Sequence, residues 1–366
     1  MDRPTDTSDA TDIAVSLARL QRGEHAGREE TRRLVDGVLA GTVDLDAFGR
    51  WLVALADLGE SADEIAGVAA ALRGRMLPVT TRRSVVADTC GTGGDGSGSF
   101  NISTAAALVA AAAGLPVAKH GNRAVTSRTG SADVLEALGV GVGLPPEVSS
   151  RLLDEVGFCF CLAPVHHPAM ARVGPLRRSL GRPTVFNLVG PLCNPAGAGV
   201  QVIGVGRPAA REPVAQAAAM LGARRTLVVS GHVGRHGVAG ASDVDHDTAF
   251  DEVSLFGPTE VIDVVEGTLS RSTWNPEDFG IATQPADRIA ELSVPGPTES
   301  AAAIRDVLAG ATGPRRDVVV LNAAAVLWAA GKASSLPAAR AAAEAAIDSG
   351  AAAAKLAQLA DGQQTT

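Results

Sequence analysis

Tyrosine is absent from this 366-residue chain, and aromatic residues make up only 3% of it. A core short of rings must be filled with Ala, Val and Leu, which suits close-packed helices on a parallel sheet. Cysteines are few: Cys90, Cys159, Cys161 and Cys193, with none of the spacings of a zinc site. Cys159 and Cys161 fall in the apolar run Val156 to Ala163 and read as core thiols. No disulfide framework is evident, which fits a reducing compartment. Net positive charge is also lacking, since the formal net charge is −8. The chain therefore has no nucleic-acid footprint, and any phosphate it binds must be held by backbone amides and a few placed cations. No stretch approaches the roughly 20 continuous apolar residues of a membrane span, and the alanine-rich run 104–115 is too short. The N-terminus, MDRPTDTSDATD, has neither the basic nor the apolar region of a signal peptide. The expectation is a cytoplasmic protein that meets neither nucleic acid nor membrane.

What is present is 46% apolar and 20% charged, an ordinary globular balance, on a chain long enough for two domains. Residues 1–12 read as a disordered tail. From 13 to 79 the periodicity is helical: Ile13, Leu17 and Leu20, then Leu34, Val38 and Leu39, then Phe48, Leu52 and Leu55. Ser61 and Glu64 have the spacing of a capping box and open a fourth helix carrying Ile65, Val68 and Leu72. After Pro78 the pattern changes. Short strands are predicted at Val85–Ala87, Pro116–Ala118, Gly157–Leu162, Val200–Val205, Thr226–Ser230 and Val261–Val265. Helices are predicted between them, including Thr104–Ala113, Ser131–Leu138 and Pro213–Leu221. This alternation predicts an α/β fold class: a small all-helical N-terminal domain plus a larger α/β domain with a mostly parallel central sheet. Residues 80–171 and 196–361 form the α/β domain, part of 172–195 is read as a crossing back to the helical one, and the tail beyond Asp361 as frayed.

The chemistry concentrates between Asp88 and Thr104, a glycine-rich stretch between a strand and a helix. There, glycines let backbone amides approach an anion and the helix N-terminus adds a favourable dipole. Gly91-x-Gly93-x-x-Gly96 matches the dinucleotide fingerprint literally. That reading wants an acid about 20 residues on, for the ribose hydroxyl, and the chain offers Lys119-His120 there. The Walker pattern fails as well, for want of a following Gly-Lys-Ser/Thr. A tight turn without a ligand is the bland alternative; five glycines interleaved with Asp95, Asn101, Ser103 and Thr104 speak for a phosphate cradle. Lys119, His120, Gly121, Asn122 and Arg123 follow a predicted strand end, where ligands sit in doubly wound sheets. Alone, Lys119 and Arg123 would read as solvated charges; after an apolar strand they read as phosphate contacts.

Several segments together carry a resemblance: GTGGDGSGSFNIST, KHGNRAVTSRTGSADVLEALG, HHPAM, VGPLRRSLGRPTVFNLVGPLCNPA, and the later Asp251-Glu252. In order and spacing, from about residue 14 to 350, they resemble the anthranilate phosphoribosyltransferase family. LADLGESADEIAGVAAALRGRM resembles that family's helical domain. The resemblance implies a catalytic α/β domain that binds 5-phosphoribosyl 1-pyrophosphate with two magnesium ions, transfers the phosphoribosyl group to anthranilate or a related aminobenzoate, and releases pyrophosphate. It implies a homodimer. On the donor side it implies Gly91, Thr92, Gly93, Gly94, Asp95, Ser99, Asn101, Ile102, Ser103, Thr104, Lys119, Gly121, Asn122, Arg123, Ser127 and Ser131. On the acceptor side it implies His120, Asn122, Pro164, His167, Met170 and Arg177, with Arg177 facing the carboxylate. Ser103, Asp251 and Glu252 are implied as metal ligands. His166 reads as a structural histidine.

One stretch departs from the family pattern. Where relatives carry a short Gly-Leu-Asp-Glu turn, this chain runs from Gly231 to Glu252, with Ala249-Phe250 before the acid pair. His232, His236, Asp243, Asp245, His246 and Asp247 in that stretch fit either an added metal site or, more simply, a solvated polar loop. Two further functions stay open on sequence: a pyrimidine nucleoside phosphorylase-like enzyme, and a donor-binding paralogue without turnover.

Overall fold

The computed structural model describes residues 7–124, 128–234 and 249–361. Ser127, His236, Asp243, Asp245, His246, Asp247 and the tail beyond Asp361 lie outside them. Four helices open the chain: α1 (Thr7–Leu20), α2 (Arg28–Ala40), α3 (Leu45–Leu58) and α4 (Ala62–Arg73). The first starts at Thr7, six residues before the expected helical start at Ile13, so residues 7–12 are helical rather than disordered. Helices α3 and α4 each have a local reason to begin. The Asp44 side chain accepts from the Ala47 amide at 2.8 Å, and Ser61 and Glu64 form the expected capping box. Glu64 is fully buried and also accepts from the Ala26 amide at 3.0 Å, which fastens the α1–α2 loop to the start of α4. Gly67 lets α2 and α4 cross closely, because a Cβ there would lie 2.5 Å from the Arg28 carbonyl.

The remainder is built on one seven-stranded sheet: β1 (Ala87–Gly91), β2 (Val117–Gly121), β3 (Phe158–Leu162), β4 (Val200–Gly204), β5 (Arg225–Gly231), β6 (Thr259–Val265) and β7 (Thr268–Trp274). The order is β3-β2-β1-β4-β5-β6-β7. β1 to β5 pair in parallel, and β6 and β7 are antiparallel. Strand order therefore reverses between β1 and β4, the switch point at which open α/β sheets bind ligands. Helix α5 (Ile102–Ala112) follows the glycine-rich loop. Its residues 105–111, five of them alanine, are buried in one core with the helix Pro314–Ala329. Small side chains here allow close helix packing on the sheet, which is why the chain needs so few aromatics.

A second core joins the two units. It contains Trp51, Leu55, Ile65 and Leu72 from the helical part, and Val173, Val185, Phe186, Leu192 and Cys193 from the crossing segment. It continues through the helix Pro208–Met220 to Ile203, Val228 and Ile262 on the sheet. Phe186 meets Phe48 edge-on at 6.2 Å. Among the described residues, no helix is long and apolar enough to cross a membrane.

Three expectations shift. β1 begins at Ala87 and runs through Asp88, Thr89 and Cys90, and β2 runs on through Lys119 and His120. These polar residues are central strand, not loop. β7 was not expected; its sequence TLSRSTW is mostly exposed on the sheet edge and carries no apolar run.

Candidate active site

The site grows from the paired ends of β1 and β4. Gly91 and Gly204 are register partners. A Cβ on Gly91 would fall 2.2 Å from Asp251 Oδ2, and one on Gly204 would fall 1.6 Å from the Asp251 carbonyl oxygen. The two glycines thus open the strand ends for Asp251 to lie across them. Gly93 and Gly94 then turn the loop at φ +71° and +84°, values side chains other than glycine rarely adopt. Thr92 donates its amide to the Gly204 carbonyl at 2.8 Å, and its hydroxyl accepts from the Gly206 amide at 3.3 Å. Asp95 Oδ1 accepts from the amide and hydroxyl of Ser97, both at 3.0 Å, and Ser97 bonds Ser99 at 3.2 Å.

Helix α5 begins over this loop. Its N-cap, Asn101, makes no side-chain cap. The Asn101 side-chain oxygen instead accepts from Thr129 at 2.9 Å and Ser300 at 2.8 Å. Ile102 is core, and Thr104 is buried with an unpartnered hydroxyl. The first-turn amide of Ser103 donates to Glu252 at 3.0 Å, while the Gly93 amide donates to Asp251 at 2.9 Å. Both acids are half-buried.

Lys119 is 1% exposed, yet its Nζ donates to the Thr89 carbonyl at 2.6 Å and to Ser103 Oγ at 3.2 Å. It is a buried cation at the foot of the acid pair, and its field opposes the effects of burial on the neighbouring carboxyls. Burial pushes Asp88 up to about 6 and Glu252 up to about 8, in both cases against Lys119. Asp251 is held well above the carboxylate range, first by burial and then by repulsion from Asp95 and Glu252. Asp95 Oδ2 is buried without a hydrogen-bond partner. Crowded carboxylates with a spare oxygen fit a divalent cation, which would relieve exactly that repulsion. Among the described residues no set of three or more His, Cys, Asp or Glu side chains encloses an ion. Two carboxylates and a hydroxyl suit magnesium, which keeps several waters and shares its coordination with substrate phosphates.

The second half of the cleft is built on the end of β2. His120 Nδ1 lies 3.0 Å from the Gly190 carbonyl, His167 Nε2 lies 3.0 Å from the Cys193 carbonyl, and their rings sit 5.2 Å apart. His120 Nε2 and His167 Nδ1 are buried without partners. Burial pushes His120 down to about 3 and lowers His167, so both are neutral imidazoles. His166 points elsewhere, with Nδ1 2.9 Å from the Leu77 carbonyl. Pro164 lies in the short helix Ala163–His166 directly after β3, and Met170 packs against the second core. Arg177, on the helix Gly174–Leu180, holds its guanidinium 5.1 Å above the Phe186 ring. Burial lowers its pKa.

Some expected contacts are otherwise engaged. Arg123 turns onto the helix Ser131–Ala137, paired with Glu136 at 2.6 Å and Asp133 at 3.3 Å. Asn122 accepts from the Arg123 amide at 2.8 Å. Gly121 is needed for packing, since a Cβ there would lie 2.0 Å from Ser131 Oγ. His232, the one described member of the possible added metal set, has its Nε2 3.8 Å from Glu260.

Asp88 carried no assigned role in the sequence reading. It is 1% exposed, accepts from the His120 amide at 3.3 Å, and binds Asn194 at 2.8 Å. Gly204 and Gly206 were also missed. Their signal, a Gly-x-Gly at the end of an apolar strand, gains meaning only once Asp251 is seen against it.

Comparison with known proteins follows the same outline. The family model for the glycosyl transferase family a/b domain matches residues 83–353, and that for its helical bundle domain matches 16–76. An anthranilate phosphoribosyltransferase from Moorella thermoacetica is 46% identical, over 94% of this chain and 96% of its own. One from Rhodopirellula baltica is 44% identical over 98% of this chain and 99% of its own. Among solved structures, the Thermus thermophilus enzyme superposes with a TM-score of 0.84 at 42% identity, covering 96% of this chain and 99% of its own. A Saccharomyces cerevisiae enzyme in complex with PRPP and Mg also has a TM-score of 0.84, at 26% identity, covering 97% and 99%.

Proposed function

The chain belongs to the anthranilate phosphoribosyltransferase family of glycosyl transferases, and we propose that it moves the phosphoribosyl group of 5-phosphoribosyl 1-pyrophosphate onto the amine of anthranilate, releasing pyrophosphate. The observation that supports this reading is that two candidate half-sites start from the ends of neighbouring strands at the switch point. One is the anion cradle of Gly93, Ser103 and Lys119 with its acid pair; the other is the neutral pair His120 and His167. Relatives support both substrates: the yeast enzyme has been captured with PRPP and Mg, and also with 4-fluoroanthranilate.

In this reading the loop amides, Ser103 Oγ and Lys119 Nζ hold the donor's phosphates. Asp251, Glu252 and Ser103 would hold two magnesium ions, which supply neutralisation of the charge on the departing pyrophosphate. The bond from C1 to the pyrophosphate oxygen breaks, the arylamine nitrogen bonds to C1 from the opposite face, and that nitrogen gives up one proton to the released pyrophosphate or to water. The protein's share is positioning and exclusion of water. The unpartnered ring nitrogens of His120 and His167 can accept from the acceptor's amine N–H, and Arg177 offers a fork to its carboxylate.

A second copy of the chain would cover the groove between α1, α3 and the helix Gly174–Leu180, which is lined by Leu20, Val53, Leu58, Leu176 and Leu180. A homodimer is part of the reading. So is a cytoplasmic location, supported by four free cysteines.

The test is pyrophosphate release by the purified chain, given the ribose donor, magnesium and a panel of arylamines. Release with anthranilate above all others is expected. No release with any aminobenzoate would end the proposal.

A further inference from the structure

Asp88 and Gln201 stand side by side at the switch point, as register partners in β1 and β4. Both are polar residues on central strands, and they are only 1% and 4% exposed. Both reach into the crossing segment. Asp88 Oδ2 accepts from Asn194 Nδ2 at 2.8 Å, and Gln201 Nε2 donates to the Pro191 carbonyl at 2.7 Å. Asn194 spends the rest of its amide on backbone: Nδ2 also donates to the Ala118 carbonyl at 2.7 Å, and Oδ1 accepts from the Ala196 amide at 2.9 Å. Asp88 Oδ1 accepts from the His120 amide at 3.3 Å. The crossing is thus fastened to the sheet twice, at Pro191 by Gln201 and at Asn194 by Asp88.

This short stretch carries the two carbonyls on which the acceptor-side imidazoles rest. Gly190 O faces His120 Nδ1 and Cys193 O faces His167 Nε2, each at 3.0 Å. A carbonyl oxygen can only accept, so the ring nitrogen facing it carries the proton. Each neutral ring then keeps its lone pair on the other nitrogen. Those nitrogens, His120 Nε2 and His167 Nδ1, are the two left buried and unpartnered. The carbonyls fix the tautomer of each ring, and the two strand side chains hold the stretch that bears the carbonyls.

We propose that Asp88 and Gln201 are positioning residues for the acceptor: a buried polar rung, shared by β1 and β4, that sets which ring nitrogens of His120 and His167 meet the incoming arylamine. The proposal rests on reading the histidine side as the acceptor site. Apolar residues would fill these central strands without needing partners, whereas buried polar groups must be hydrogen-bonded. Here every one of those bonds runs to the crossing or to His120.

The experiment uses the full chain at one fixed, neutral pH. Gln201→Met keeps the volume and takes the donor from Pro191. Asp88→Asn sets an NH2 group against either the Asn194 amide or the His120 N–H. The exchange Asp88→Asn with Asn194→Asp again faces a donor with an acceptor. Each single variant is expected to raise the KM for anthranilate about ten-fold. The KM for the ribose donor should stay unchanged in Gln201→Met, and the exchange should recover part of what Asp88→Asn loses. A wild-type anthranilate KM in both single variants, or an equal rise for both substrates in Gln201→Met, would overturn the inference whatever happens to stability. An exchange that recovers nothing would remove Asp88 from the rung. Nitrogen NMR of the imidazoles needs neither turnover nor a variant that folds. The unliganded wild type should show one tautomer for each ring, protonated at Nδ1 in His120 and at Nε2 in His167; mixed tautomers would overturn the inference. A wild type with those tautomers and no phosphoribosyl transfer would overturn the transferase reading alone.

Discussion

Gly204→Ala is a one-methyl test of how the site is assembled. Gly204 ends β4, and its φ lies outside the left-handed region, so alanine brings no backbone strain of its own. The difficulty is spatial. A Cβ would stand 1.6 Å from the Asp251 carbonyl oxygen, 2.4 Å from its carbon and 3.1 Å from its Cα. An ordinary carbon–oxygen contact is about 3.3 Å, so the Asp251 backbone would have to retreat by about 1.7 Å, the difference between 3.3 and 1.6. The neighbouring backbone resists, because Ala249 donates to the Gly206 carbonyl at 2.8 Å and Phe250 exchanges two hydrogen bonds with Gly231. Overpacking of this kind costs about 1–3 kcal/mol of stability. A displacement on the order of 1 Å also takes the Asp251 carboxylate off the Gly93 amide, and misplacements of that size cost about 100-fold in rate. Two assays read the outcome: urea unfolding for the stability loss, and pyrophosphate release against magnesium concentration for the displaced acid. Gly199→Ala is the control, since its nearest neighbour would be Arg224 Cβ at an ordinary 3.8 Å. If Gly204→Ala kept the wild-type unfolding midpoint and magnesium titration, the placement of Asp251 across the strand ends would be wrong.

Two further perturbations address the other half-site. Arg177→Ala should raise the apparent KM for anthranilate about 10- to 100-fold, the worth of a charge-assisted bond of about 1.5–3 kcal/mol. The donor KM should stay where it is; steady-state kinetics with each substrate varied in turn decides this, and equal rises in both would remove Arg177 from the acceptor side. His120 titrates near 3 when folded, against about 6.5 unfolded. A depressed histidine contributes stability that is fully present above 6.5 and is lost as pH falls from there toward 3. Compared with His120→Asn, the wild type should therefore lose stability between pH 7.5 and 5, by up to about 1.4 kcal/mol per pH unit below 6.5. Urea unfolding of both proteins at the two pH values measures the gap; a constant gap would mean that His120 is not the desolvated imidazole described here.

Sequence patterning reached the helices more surely than the strand ends, for a physical reason. The Ser61–Glu64 box is a purely local device, and it formed as expected. The ends of β1 and β2 were cut short because Asp88, Lys119 and His120 are polar, and polar residues signal loop. Each is at most 4% exposed. Their burial is made tolerable by partners far along the chain: Asn194 for Asp88, Ser103 for Lys119, Gly190 for His120. No periodicity encodes such partners. β7 escaped for the opposite reason: an exposed edge strand has no apolar face to announce it. In the site, the glycine loop and the basic strand end were legible as chemistry. The sequence could not say that Arg123 would turn to Glu136, or that Gly204 is empty space reserved for Asp251.

The two half-sites also rest on different foundations. The glycine-loop half is set by the register of β1 and β4 and by the start of α5, which packs in the sheet's core. The histidine half hangs on the crossings between the two units. Leu77, in the first crossing, is bracketed by His166: its amide donates to the His166 carbonyl at 2.8 Å, and its carbonyl faces the ring Nδ1 at 2.9 Å. Val79 donates to the Pro195 carbonyl at 3.0 Å, which ties the first crossing to the second. The second crossing holds the His120 and His167 rings through Gly190 and Cys193. Asp88 links the two foundations, since it sits in β1 and binds Asn194 of the crossing and the His120 amide of β2; Gln201 of β4 adds a second link through the Pro191 carbonyl. A tilt of the helical unit would therefore reach the histidines through Gly190 and Cys193 while strand register held Gly93, Ser103 and Lys119 in place.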